Sequence, residues 1–286
     1  MIFKFISEAS RMRYVLLILS MFTCTFIAIA QEPTIQDNSF LVEESYNQEP
    51  GVVQEISMFT WSSLTNSWAY TFTNEWPVTG IKHQFSYTIA VSHSGDFARS
   101  GAGFGDTALN YRYQLMGSGK TRVAMSPRVS LLLPSGNSQK GRGLGGTGLQ
   151  TNLPVSVVLN SKLVTHWNAG ATWIPHGKNE LGDRAGLTGY NLGQSFIWLA
   201  RPRFNLMLET VYNDMESVVA PGKTLHSKTL LLSPGARWSY NFKSGLQIVP
   251  GIAVPIGAGP SAGDKGLIFY LSFEQPLKLL SWQNKD

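Results

Sequence analysis

The chain has 286 residues, of which only 14% are charged, 12% are aromatic and 28 are glycine; the formal net charge is +5. An ordinary soluble domain carries about 25% charged residues, so this composition argues against one. Low charge, abundant aromatics and a mean hydropathy of −0.04 suit a protein that is apolar outside and polar within.

The N-terminus carries Lys4, Arg11 and Arg13, an apolar run from Tyr14 to Ile27, and a small-residue site at Ala28, Ile29 and Ala30. This is the pattern of a secretory signal peptide, residues 1–30, cleaved before Gln31. The run is shorter than the ~20 residues a spanning helix needs. Cys24 is the only cysteine and falls inside the signal. The mature chain is therefore expected to have neither disulfides nor thiol chemistry.

Residues 31–50 hold Glu32, Asp37, Glu43, Glu44 and Glu49 and no base, a charge of −5, whereas residues 51–286 carry 20 basic and 12 acidic side chains, +8. The expectation for this acidic periplasmic leader is a solvated, partly disordered arm. The sharper reading folds it against or into a basic lumen as a partial plug.

From Gly51 onward the sequence alternates, and Gly105 to Pro134 shows the unit. Leu109, Tyr111, Tyr113 and Leu115 alternate with Ala108, Asn110, Arg112 and Gln114. Past a Gly117–Lys120 link, Val123, Met125, Val129 and Leu131 alternate with Arg122, Ala124, Ser126, Arg128 and Ser130. Successive side chains on a strand point to opposite faces, so each arm has an apolar and a polar face, and the tight link makes a hairpin. Arms of about 12 residues suit tilted transmembrane strands, which need about 9–11.

Strands are expected near 52–61, 67–77, 81–93, 104–116, 121–133, 148–160, 163–174, 187–199, 203–213, 227–240, 246–256 and 266–274. Short links at 78–80, 117–120, 161–162, 200–202 and 241–245 alternate with longer ones at 94–103, 134–147, 175–186, 214–226 and 257–265. The 62–66 link is short for its place. This pattern predicts an all-β fold: a transmembrane antiparallel up-and-down β-barrel of about 12 strands over residues 51–286, with both termini periplasmic. Pro127, Pro154, Pro234 and Pro250 fall inside strands; lacking a ladder donor, they call for bulges or local breaks.

The polar faces converge on a lumen. Its expected lining, and the candidate solute pathway, is Lys82, Asn110, Arg112, Gln114, Arg122, Arg128, Gln150, Asn152, His166, Asn168, Asn205, Glu209, Arg237 and Glu274. Rings of basic side chains favour anions in pores. Alternatively, the arginines pair with Glu209 and Glu274 and hold a narrow barrel closed. Trp61, Trp68, Trp76, Trp173, Trp198 and Trp238 lie near strand ends, where aromatic girdles meet the membrane interfaces.

Catalytic and cofactor motifs find no support. Gly143 to Gly148 reads G-x-G-x-x-G, but a strand with Pro154 follows where a dinucleotide site requires a helix. Gly119, Lys120 and Thr121 form a hairpin turn. The five histidines lack tight metal spacing. Ser86 and Ser92 face the lumen, opposite to His83 and His93, which leaves poor geometry for a lipid-hydrolysing pair. No metal, cofactor, catalytic residue or nucleic-acid partner is expected.

Three stretches carry a family resemblance: 38–54 (NSFLVEESYNQEPGVVQ), 103–114 (GFGDTALNYRYQ) and 131–136 (LLLPSG). They resemble the outer-membrane transporter family named for a meta-cleavage pathway of phenol degradation, over most of the mature chain. The resemblance implies an outer-membrane barrel and passage of small molecules, and it brings no catalytic residues. The expectation is a monomeric barrel in outer-membrane lipid, delivered by the export and barrel-assembly machinery. It would allow passive or facilitated passage of small solutes, hydrophobic or aromatic ones among them. The alternatives are a structural or surface-interaction barrel acting through extracellular loops such as 134–147 and 214–226, and a lipid-modifying barrel enzyme.

Overall fold

The computed structural model describes residues 35–95 and 101–276. The expected export signal, Cys24 and Glu32 lie outside the described residues. Among the described residues the strands are β1 (Val52–Ser62), β2 (Ser67–Thr79), β3 (His83–His93), β4 (Gly103–Phe104), β5 (Thr107–Tyr113), β6 (Val123–Met125), β7 (Arg128–Leu133), β8 (Gly148–Asn160), β9 (Leu163–Lys178), β10 (Arg184–Arg201), β11 (Phe204–Ala220), β12 (Lys223–Trp238), β13 (Tyr240–Asn241), β14 (Gln247–Ala253), β15 (Ile256–Gly257) and β16 (Gly266–Pro276). The short β4, β6, β13 and β15 extend β5, β7, β12 and β14 along the same neighbours. The result is a closed barrel of twelve antiparallel staves, sealed where β16 pairs with β1.

The prolines sit where the ladder is interrupted. Pro127 separates β6 from β7, and Pro154 faces that gap, accepting from the Ser126 N–H at 3.2 Å. Pro234 faces the break between β14 and β15, and its carbonyl accepts from the Val254 N–H at 3.0 Å. Pro250 lies one residue past the last β12–β14 pair, Arg237 with Gly251. The missing donors thus fall where no partner strand needs them.

Two expected loops are hairpin ends instead. β9 and β10 continue to Lys178 and from Arg184, and β11 and β12 are joined by residues 221–222 alone. Pro221 and Gly222, the latter at φ 68, supply a tight turn. Below it the Glu216 carboxylate accepts from the Thr188 N–H and hydroxyl, both at 2.7 Å, and from the Thr224 hydroxyl at 2.6 Å. These bonds tie β10, β11 and β12 together beyond the apolar band.

That band is visible on the outer face of β11. Phe204, Leu206, Leu208 and Tyr212 point outward, and the next outward positions are Asp214 and Glu216, opposite Lys228 and His226. Eight residue steps at about 3.3 Å, tilted by about 40°, give an apolar height near 20 Å, close to the ~25 Å band of outer-membrane barrels. His226 Nδ1 lies 2.7 Å from Asp214, and Lys228 Nζ 3.8 Å; charges of this kind mark the end of the band.

The buried apolar side chains lie inside the barrel. One cluster joins Ile35 and Phe40 to Ile197, Met207, Val249, Ala253, Ile268 and Tyr270. A second, Ile174, Ala185, Leu187 and Val218, lies toward the hairpin ends.

Candidate solute pathway

Residues 35–48 are seated in the lumen, and Glu49 and Pro50 are exposed at its turn end, where Glu49 lies 3.3 Å from Lys120. Ile35, Phe40, Val42 and Tyr46 are buried and Ser45 is inaccessible, so the expected solvated arm is not what this segment forms. The physical reason is hydrogen bonding. An irregular buried segment must satisfy each N–H and C=O, and the wall supplies the partners. Glu209 Oε1 accepts the consecutive N–H groups of Phe40, Leu41 and Val42 at 3.2, 2.7 and 3.0 Å. Asn168 accepts from the Glu43 N–H at 2.7 Å and donates to its carbonyl at 2.8 Å. Gln114 likewise accepts from the Asn47 N–H at 2.9 Å and donates to the Ser45 carbonyl at 2.8 Å. Ser156 and Gln84 accept from the Ser45 and Gln48 N–H groups at 2.9 and 2.7 Å. Asn205 Nδ2 donates to the Gln36 carbonyl at 2.9 Å, and His166 Nε2 lies 2.8 Å from the Asp37 carbonyl.

Apolar anchors fix the same segment. Gly235 and Gly251 leave a notch in the wall, where a Cβ would lie 2.8 and 2.6 Å from Phe40 ring carbons. The Phe40 ring fills it and lies 5.1 Å from the Tyr270 ring. At Gly193 a Cβ would meet Val42 at 3.1 Å.

The arginines are committed to the leader. Arg112 donates from Nε to Asn47 at 3.0 Å and from Nη2 to the Tyr46 carbonyl at 2.5 Å. Its Nη1 reaches the Glu44 carbonyl at 3.2 Å and the Glu44 carboxylate at 3.9 Å. Arg128 grips Glu43 with two contacts, Nη2 to Oε1 at 2.7 Å and Nε to Oε2 at 3.1 Å. Its remaining donors go to Asn110 and Gln150, both at 3.2 Å, and to Ser130. Arg237 is fully buried, donates to the Asn38 carbonyl, and stands 5.1 Å over the Tyr270 ring. A charge network therefore exists as one alternative expected, but the close ion-pair partners are Glu43 and Glu44 rather than Glu209 and Glu274. The leader is not itself a spanning segment. Burial pushes the Glu44 carboxyl up to about 7 against the pull of Arg112. Burial also acts on Glu43, but Arg128 and Arg112 prevail and hold it below the ordinary carboxylate value.

On the opposite side of the leader a cavity of about 290 Å³ remains. Leu41, Ile56, Met58, Ala108 and Tyr270 line it with apolar surface, and Glu43, Glu44, Glu75, Arg112, Arg128 and Gln150 with polar surface.

All the expected lining residues except Lys82 and Arg122 face this interior. Asn152 donates to Asn168 at 3.3 Å and Glu274 accepts from Gln54 at 3.0 Å. Lys82 and Arg122 are exposed in turns, because β3 begins at His83 and β6 at Val123; extending the alternation one residue too far placed them inside. Among the aromatics, Trp61, Trp68 and Trp173 lie toward the loop end on the outer face, and Trp76, Trp198 and Trp238 toward the turn end. The sequence reading missed the three glycine seats. Their signal was present: glycine in a strand interior marks close approach by another backbone or ligand.

No protein-family model and no curated protein matches the chain. Solved structures do. An outer membrane channel from Pseudomonas putida F1 superposes with a TM-score of 0.58 at 14% identity, covering 81% of this chain and 97% of that one. The KdgM porin and the NanC porin each give 0.50, at 8% and 9% identity, covering 77% of this chain and 98% of theirs. The chain has the fold of the twelve-stranded outer-membrane channels.

Proposed function

We propose that this chain is a monomeric outer-membrane channel for passive passage of small solutes, with both termini periplasmic and residues 31–50 forming a leader whose later part is seated in the lumen. The observation that carries this reading is the cavity of about 290 Å³ kept open beside the leader, inside a closed and outwardly apolar wall. Ile56, Met58, Leu41 and Tyr270 along that cavity support solutes with a hydrophobic or aromatic part, in keeping with the resemblance to the family named for phenol degradation. Passage is diffusion, biased by the polar lining and coupled to no energy source. Two observations support a role without catalysis: His83 Nδ1 lies 2.6 Å from the Tyr111 hydroxyl, and His93 stacks on Trp68. A surface role through residues 214–226 loses its loop, since that segment is a hairpin.

Planar-bilayer recording of the purified full chain tests this. Discrete current steps, together with uptake of small aromatic solutes into proteoliposomes, are expected. Absence of both current and uptake would overturn the reading.

A further inference from the structure

We infer that the leader, rather than the barrel wall, sets the charge preference of the pathway, and that the seated leader makes it favour neutral and cationic solutes over anions. This rests on the channel reading above. The residues that determine it are Glu43 and Glu44, through Arg128 and Arg112.

The wall alone is balanced around the leader. Among the described residues its arginines there are Arg112, Arg128 and Arg237, and its carboxylates are Glu75, Glu209 and Glu274. The leader adds Asp37 and Glu43, with Glu44 ionised in full only above its raised value of about 7, and no base. It also consumes the donors an anion would use. Both guanidinium groups that face the cavity are engaged on the leader at 2.5–3.9 Å. Arg128 already holds Glu43 through two charge-assisted contacts, so a passing anion, whose own bonds would be of the same kind, must displace a carboxylate tethered beside it. Glu75 lines the same cavity, and a cation passing there meets carboxylates within low-dielectric walls that focus their field. Removing the leader carboxylates would free the Arg128 donors on the cavity side and leave the Arg112 charge unbalanced, though its donors stay on Asn47 and the leader carbonyls, and so reverse the bias. Basic residues read from the sequence as an anion ring therefore act as one only when the leader's acids are absent.

Reversal potentials of the full chain in a potassium chloride gradient test this, compared with the Glu43→Gln/Glu44→Gln variant. The parent is expected to prefer potassium. In the double variant the cation-to-anion permeability ratio should fall by about tenfold, within the range that lumenal fields impose on local ion concentration. Arg128→Gln supplies the opposite sign: it leaves Glu43 unpaired and should raise the ratio, which unseating of the leader alone would not do. A parent that already prefers chloride, or reversal potentials equal in all three proteins, would overturn the inference while leaving the channel reading intact. Absence of current in all three would overturn this inference, and absence of solute uptake as well would overturn the channel reading with it.

Discussion

The lumen wall holds the leader in two different ways. Along β12 and β14 it is small: Gly235 and Gly251 let the Phe40 ring rest on bare backbone, and on β11 Glu209 collects three successive N–H groups. Along β2, β3, β5 and β7 it is long and polar. There Gln84, Gln114, Arg112 and Arg128 reach out to the leader, and a cavity of about 290 Å³ stays open between wall and leader. Side-chain length decides which half is anchor and which is passage. Glycine in a strand interior costs roughly 0.5–1 kcal/mol, a loss that burial of one phenylalanine, about 1.5–3 kcal/mol, offsets. The notch is stable because the leader fills it.

Substitutions on the two sides should therefore separate. The largest expected effect is at the notch: Phe40→Ala should cost about 3–5 kcal/mol of leader seating, read as rapid cleavage of the leader by added protease in detergent-solubilised barrel. Gly251→Val should release the leader as well, since its Cβ would already collide with the Phe40 ring. Glu209→Ala ranks beside Phe40→Ala, since it orphans three N–H groups at about 1–3 kcal/mol each, and should also expose the leader. On the passage side, Gln84→Ala takes an acceptor from the Gln48 N–H and from Arg112 Nη2 and should speed cleavage less, through a loss of about 1–3 kcal/mol. A protease pattern that ranks Gln84→Ala above Phe40→Ala would break the division into anchor and passage.

The smallest effect lies outside both walls and serves as a reference. Hydrogen bonds from Thr224 and Thr188 hold Glu216 down at about 2, against an ordinary value of 4.5. A lowered carboxylate contributes stability above its unfolded value and loses it as pH falls through the folded one. The hairpin tip of β11 and β12 should thus stay ordered at pH 5 and loosen between about pH 4.5 and 2. An NMR titration of the Thr188 amide should report that transition, and a midpoint near 4.5 would contradict it.

Much of the barrel was legible because strand alternation has a period of two. Tyr111 against Arg112, or Leu153 against Asn152, reads as outside against inside without further information. The periodicity fails at turns, which is why Lys82 and Arg122 were placed in the lumen. It also ran out at 214–226, where Pro221 and Gly222 signalled a tight turn that charged neighbours disguised as a loop. The leader has no period at all. Its composition, five acids and no base, fits a solvated arm as well as a plug, and the difference lies in partners more than 100 positions away, such as Asn168 for Glu43. The glycine seats were visible as residues but not as seats, since only the fold brings Gly235 and Gly251 beside Phe40.

Single-channel conductance of the full chain compared with a variant lacking residues 35–49 shows how much of the lumen the leader occupies. A small conductance is expected in the full chain and a several-fold larger one in the variant, because the leader fills the β11–β14 side of the lumen and leaves the passage on the other. Equal conductance in the two would contradict this placement of the leader.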